Sequence, residues 1–294
     1  MKRPLTLFLL LVLLFVAAHT QEVTVYTIPS PKGINWKSPR ALVLSYIANT
    51  IARSRYGKDK HPIGHMLIEL KDNTRYVLAG VTSVNGSGMT RNVLFRGYGL
   101  GILFTGIKGN LEETEQNLPL LQQRMQTGDM AFITYKVNQD VFNRLWQYFQ
   151  EYKQNEYYRI YNGRNKPREG LGAGCSAFAI SFLEVGGLCH ALPPDEWGVH
   201  VVVPASLVGG TVNAPRSVPV FHLLFAGHWG KRNDETGWSL SLYEPTLLFR
   251  WITSKHEQLP PGATLQKTWL GRAPGLLIDC SNIQPPEEPI WIRN

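Results

Sequence analysis

Apolar and polar positions alternate along this chain with two periods, and the switches between them mark the predicted elements. Residues 22–28 alternate and are β-branched, which predicts a strand. Ser38-Pro39 predicts a helix start, serine as N-cap and proline at the first helical position. Leu44, Ile47, Ala48 and Ile51 follow at helical spacing to about residue 54, and residues 53–60 read as a basic loop. Residues 64–70 and 75–83 predict a hairpin turned by Asp72-Asn73. Asn85-Gly86-Ser87-Gly88 predicts a second turn, and 100–105 a further strand. Asn110 reads as a helix cap with Glu113 as its box partner, and Pro119 is expected to kink or split that helix. A strand is expected at 130–137. Asn138 then caps a helix in which Val141, Phe142, Leu145, Phe149 and Tyr152 share one face. Strand-like runs follow at 199–203, 218–225 and 238–251, and the proline-rich end from Pro260 is expected to wrap the surface.

One stretch departs from both periods. Gly170-Leu171-Gly172-Ala173-Gly174 runs into Cys175, which opens an apolar run to Val185 that Gly186-Gly187 stops. Only Ser176, Ser181 and Glu184 are polar there, so the pattern predicts a short helix buried almost all round. Cys175 falls in its first turn, where free N–H groups and the helix dipole favour a thiolate. A small buried hydrophobe is the plain alternative for a free cysteine.

Composition sharpens this picture in three ways. Residues 1–20 combine Lys2 and Arg3, an apolar run and Val16-Ala17-Ala18, the pattern of a secretory leader, so a periplasmic or secreted location is expected. The formal charge of +8 is compatible with peripheral contact to anionic envelope polymers. Three cysteines leave one unpaired in an exported chain, and Cys189 with Cys280 is the pairing expected if any forms. Gly97-Tyr98-Gly99-Leu100-Gly101 lacks dinucleotide spacing, and there is no phosphate-loop lysine motif and no Gly-x-Ser-x-Gly. Basic residues do not interleave with aromatics as nucleic-acid binding would need, and no cofactor is implied.

A reactive thiol needs a base, and His65 is the candidate. It starts the strand of Gly64-His65-Met66-Leu67-Ile68, where a ring could face a helix tip that carries a thiol. His61, His65 and Glu69 are spaced by four, but Pro62 and Gly64 argue against a helix, and strand residues four apart lie roughly 13 Å apart. No metal site is therefore expected. Thr82 and Ser83 are the polar residues nearest His65 across the hairpin, and no orienting third residue emerges.

Ile63-Gly64-His65-Met66-Leu67-Ile68 with its hairpin, a strand-and-helix pair over 130–158, and then Gly174-Cys175-Ser176-Ala177-Phe178 resembles the circularly permuted papain-like proteins of the NlpC/P60 superfamily, in its YiiX-like and lecithin–retinol acyltransferase-like branches. The resemblance spans roughly residues 60–187. It implies an α+β, papain-like core with an antiparallel sheet packed on the cysteine helix, Cys175 as nucleophile and His65 as base. With the leader at 1–20, residues 21–189 would form that domain and 190–294 a C-terminal extension or cap. The implied activity is a thiol hydrolase or acyltransferase acting on an amide or ester carbonyl, with a cell-wall peptide as first substrate and a lipid acyl group as second. Many relatives carry a third polar residue on the second strand, which here reads Tyr76-Val77-Leu78-Ala79-Gly80. The alternative is a non-catalytic envelope-binding protein that retains the fold.

Overall fold

The computed structural model describes residues 21–56, 61–84, 87–164, 166–191, 194–231, 236–260 and 263–292. The leader reading, the turn at Asn85-Gly86 and residues 57–60 of the expected basic loop lie outside them. Among the described residues no helix is long and apolar enough to cross a membrane.

The fold is α+β, with a large, mostly antiparallel sheet and seven helices among the described residues. Ten strands run in chain order: β1 (Gln21–Ile28), β2 (His65–Lys71), β3 (Tyr76–Ser83), β4 (Ile107–Glu112), β5 (Ala131–Val137), β6 (Ile160–Tyr161), β7 (Gly198–Val203), β8 (Trp238–Tyr243), β9 (Leu265–Leu270) and β10 (Ala273–Cys280). Eight of them form one sheet in the order β6-β4-β3-β2-β1-β5-β10-β9, while β7 and β8 make a separate ribbon. The helices are α1 (Pro39–Tyr56), α2 (Ser87–Phe95), α3 (Thr114–Thr127), α4 (Gln139–Gln154), α5 (Cys175–Val185), α6 (Val220–Phe225) and α7 (Pro245–Gln258).

Strand alternation decides what each sheet face holds. Val23, Val25, Met66, Ile68, Leu70, Val77, Ala79 and Val81 face α4, α5 and α7, and close the largest core with Phe142, Phe178 and Phe182. Tyr26, Ile28, Leu67, Leu78 and Phe132 face the other way and pack with Leu121 of α3. A third cluster, with Leu42, Val43, Leu100, Val203, Leu223 and Leu240, joins α1, α6 and the β7–β8 ribbon beside the sheet.

Several sequence expectations meet corrections here. The run at 100–105 is not a strand but a tight turn, Leu100–Leu103. A Cβ on Gly101 would sit 2.0 Å from the Gly209 carbonyl oxygen, so two loops cross where a strand would need side chains. The cap of α3 is Glu113, boxed with Gln116, because Asn110 still belongs to β4. Pro119 sits inside α3 without splitting it: Glu115, whose carbonyl loses its partner, is exposed to water. The run at 218–225 is helical from Val220, and the run at 238–251 is strand only to Tyr243. Glu244, whose carboxylate accepts from the Leu247 N–H at 2.7 Å, and Pro245 start α7 there. The segment from Pro260 does not wrap the surface. β10 lies inside the sheet, parallel to β5, and Leu276, Ile278 and Cys280 are core residues. β9 and β10 thus extend the sheet that β1 to β6 build, while β7 and β8 stand apart as their own ribbon. All three cysteines are free, Cys189 and Cys280 included.

Candidate functional site

Cys175 stands where its sequence context puts it, at the first position of α5 with Gly174 as N-cap. The glycine-rich approach is held down by backbone bonding: the Ala173 N–H donates to the Ile160 carbonyl at 3.1 Å, tying the loop to β6. α5 then lays Phe178, Ala179 and Phe182 on β2 and β3, so its tip is fixed over the beginning of β2.

The ladder between β2 and β3 runs from Ile68 paired with Ala79 to Lys71 paired with Tyr76. It therefore stops short of Met66, whose backbone favours negative charge on the Cys175 sulfur. The Ser176 backbone acts in the same direction; the Tyr161 hydroxyl donates to the sulfur from 3.9 Å, and the Ser176 hydroxyl lies at 3.9 Å. These donors would stabilise negative charge on sulfur, or on an oxygen held beside it. Burial outweighs them: the side chain is 5% exposed and its thiol is pushed up, not down. Desolvation of this buried helix tip thus works against the thiolate that a helix start favours. Tyr161 is held neutral in turn, its hydroxyl pushed far up by burial and by Cys175.

His65 does begin a strand, but on the other side of it. Met66, Ile68 and Leu70 point to the α5 core and Leu67 to the α3 core, so His65 shares the face of Leu67. Its position confirms this: a Cβ built on Gly80 would come 3.1 Å from His65 Nε2 and 2.5 Å from Leu67 Cδ2. The turn His61-Pro62-Ile63-Gly64 brings His61 back over it, and the two rings stack with centroids 3.9 Å apart. His65 is 1% exposed, its Nε2 has no hydrogen-bond partner, and burial followed by His61 holds it well below its usual value. The structure thus brings His65 to His61 and Cys175 to Tyr161, and no hydrogen bond joins the two expected partners. The period of two that identified the strand also carried this information: Met66, not His65, shares a face with Ile68 and Leu70. Among the described residues no group of three His, Cys, Asp or Glu is placed to hold a metal ion.

What the sequence did not reveal is the space in front of the sulfur. Cys175, Ser176, Tyr161 and Asn162 form part of the wall of a cavity of about 490 Å³. The rest of its lining is overwhelmingly apolar, from Leu42, Val43 and Ile47 of α1, Val93 of α2, Leu103, and Leu240 of β8. Glu244 adds one buried carboxyl. Its second oxygen, Oε1, has no partner, and burial raises it against the hydrogen bonds of its helix cap and Arg250. These residues are spread over segments far apart in the chain, so no single segment carries the signal. Glu244-Pro245 was the one local clue, as a cap followed by a first-turn proline.

No family model, no curated protein and no solved structure matches the chain. The functional argument therefore rests on the site's own geometry.

Proposed function

We propose that this protein binds the apolar chain of an amphiphile in the cavity beside Cys175, as an exported envelope protein on a papain-like scaffold that does not assemble a thiol–imidazole pair. The observation that carries the reading is the cavity itself, of a size that accepts a small ligand and lined almost wholly by aliphatic side chains. A cell-wall peptide, polar along its whole length, would leave its amides unpaired against Leu, Val and Ile, at a cost of several kcal/mol. An alkyl chain meets no such penalty. The His65 ring, on the sheet face away from the Cys175 helix, supports binding over hydrolysis by this pair. Export remains part of the proposal on the strength of the basic, then apolar, then small-residue order of residues 1–20.

The test is titration with a fluorescent fatty acyl probe, followed by displacement with unlabelled alkanols of increasing length and with a muramyl peptide. Saturable binding at one site, displaced better by longer chains and not by the peptide, is the expected result. Failure to bind any chain, or displacement by the peptide alone, would reject the reading.

A second reading is favoured by the donors around the sulfur. Cys175 could take an acyl group from an activated ester: sulfur bonds to the carbonyl carbon, the ester C–O bond breaks, and the leaving oxygen keeps the thiol proton. Met66 and Ser176 N–H groups would hold the oxygen of the intermediate. Incubation with p-nitrophenyl dodecanoate and mass analysis of the intact protein decides it. Acylation lost in Cys175→Ala supports thiol chemistry; no adduct in the parent protein leaves binding alone.

A further inference from the structure

Hydrophobic side chains left exposed on this protein are concentrated on one side of it. Of the twelve large hydrophobic residues exposed among the described residues, seven (Leu44, Ile47, Ile51, Leu94, Phe95, Phe221 and Phe225) lie on α1, α2 and α6. Phe95 is 79% and Phe225 75% exposed, values that leave a phenyl ring almost wholly in water. These helices also help to wall the cavity: Ile47, Ile51 and Leu94 of the exposed set line it, and Leu44, Phe95, Phe221 and Phe225 lie on the same three helices, next to its rim. α1 and α6 pack directly on each other, and the Arg40 N–H donates to the Ala226 carbonyl at 3.0 Å, so the rim is one surface.

The charge around that rim is of one sign. Residues 34–56, 87–111 and 198–231 contain none of the chain's 22 acidic residues, while Lys37, Arg40, Arg91, Arg96 and Arg216 are exposed there. Glu244 lines the cavity but is buried, so it does not offset these cations at the surface. A face of aromatic and aliphatic tips set among arginines has the composition of a surface that lies in a lipid interface, where apolar area enters the acyl boundary and cations meet anionic headgroups. A soluble protein partner would have to hide the phenylalanines while presenting acidic groups to each arginine. A second copy of this chain would bring to this face a surface of the same charge sign, which disfavours the pairing.

We propose that the cavity rim docks on an anionic lipid bilayer, with Phe95, Phe221 and Phe225 inserted and the arginines on the headgroups, so that the cavity opens toward the membrane. The proposal does not depend on what the cavity holds. Each basic residue near an anionic surface strengthens binding, and added salt screens that part, whereas the phenylalanines act in any bilayer.

The experiment is co-sedimentation of the whole protein with phosphatidylcholine vesicles, with and without phosphatidylglycerol, at low and high salt. The parent protein is expected to bind the anionic vesicles and to lose most of that binding in salt. Phe95→Ser/Phe221→Ser/Phe225→Ser should lower the partition coefficient by about tenfold or more. Arg91→Glu/Arg96→Glu should abolish the preference for anionic lipid. Because three substitutions could disturb folding, Phe95→Trp gives a second readout: its emission should shift to the blue with vesicles and be quenched by brominated acyl chains. Lack of binding to either vesicle overturns the proposal, as does unchanged binding of a folded triple variant. So does a concentration-dependent dimer that protects the Phe95→Trp ring from an aqueous quencher. Titration with the acyl probe without vesicles reads the cavity separately, so either proposal can fail alone.

Discussion

The core under the large sheet and the cluster behind the β7–β8 ribbon are built from the same residue types, yet they finish differently. Under the sheet, apolar side chains fill the space: Phe178 and Phe182 meet edge to face at 5.1 Å, and Tyr148 closes on Phe182 at 4.9 Å. One buried polar pair is matched there, the Tyr148 hydroxyl and Ser181 Oγ being 2.8 Å apart. In the other cluster, Leu42, Val43, Leu100, Leu223 and Leu240 leave a cavity between them, and their neighbours on α1, α2 and α6 stand in water. An unfilled apolar space gives up the dispersion contacts that packing would supply. Complementary surfaces close and become core, while surfaces held apart by short helices and crossing loops remain available to a ligand.

The sharpest way to break this contrast is to truncate one side chain in each region. Phe178→Ala, in the filled core, should cost about 3–5 kcal/mol, because a large buried ring loses contacts on every side. Leu103→Ala, on the cavity wall, should cost less than about 2 kcal/mol, the low end for a buried leucine, since one side of Leu103 already faces space. Urea unfolding of the two variants measures both. Equal costs would mean that the cavity region is packed as tightly as the sheet core.

Filling the cavity sharpens the same contrast from the other side. Leu103→Trp adds volume where the wall is open, so it should change stability by less than about 1 kcal/mol, below the usual cost of overpacking. It should weaken binding of an acyl probe by about tenfold or more, roughly 1.4 kcal/mol. A loss of stability of about 1–3 kcal/mol, the cost of inserting volume into a filled core, with unchanged probe affinity would show that no ligand space exists.

This contrast also explains what the sequence could tell. The filled core was legible because each of its elements carries its own signal. Asn138 and the face of Val141, Phe142 and Leu145 marked α4, and Gly174 and Gly186 bracketed α5 to the residue. The site was half legible: Cys175 was found at its helix tip, while His65 was chosen for its place at the start of a strand without asking which face of β2 it shared. The cavity was not legible. Its walls come from nine elements and the loops between them, from Ile34 to Pro245, and two of these, Leu100–Leu103 and α6, carry short apolar runs that read equally well as strands. β10 was missed because Pro274 and the prolines around it suggested a surface tail. Pro274 lies near the strand's start, where β10 faces edge strand β9 and a missing donor is tolerated.

His65 supplies the smallest and most specific test, because it belongs to the filled region and yet is not satisfied there. Burial, then His61, holds its pKa well below the usual 6.5. The native ring therefore stays neutral while the ring of the unfolded chain takes up a proton as pH falls below about 6.5. The unfolded state then binds more protons than the native one, so stability declines toward acid, by at most about 1.4 kcal/mol per pH unit for this one proton. Glu69, Glu184 and Glu244, raised chiefly by burial, act in the opposite sense, losing stability as pH rises through their shifted values. They are present in both proteins and cancel in a difference. His65→Leu should match the parent near pH 7.5, since Nε2 has no bond to lose, and should become the more stable of the two as pH falls below 6.5. Chemical denaturation across that range measures the difference directly. A flat difference curve would mean that the parent ring is not held neutral. A variant several kcal/mol less stable at every pH would mean that the imidazole makes an essential contact on this face of the sheet.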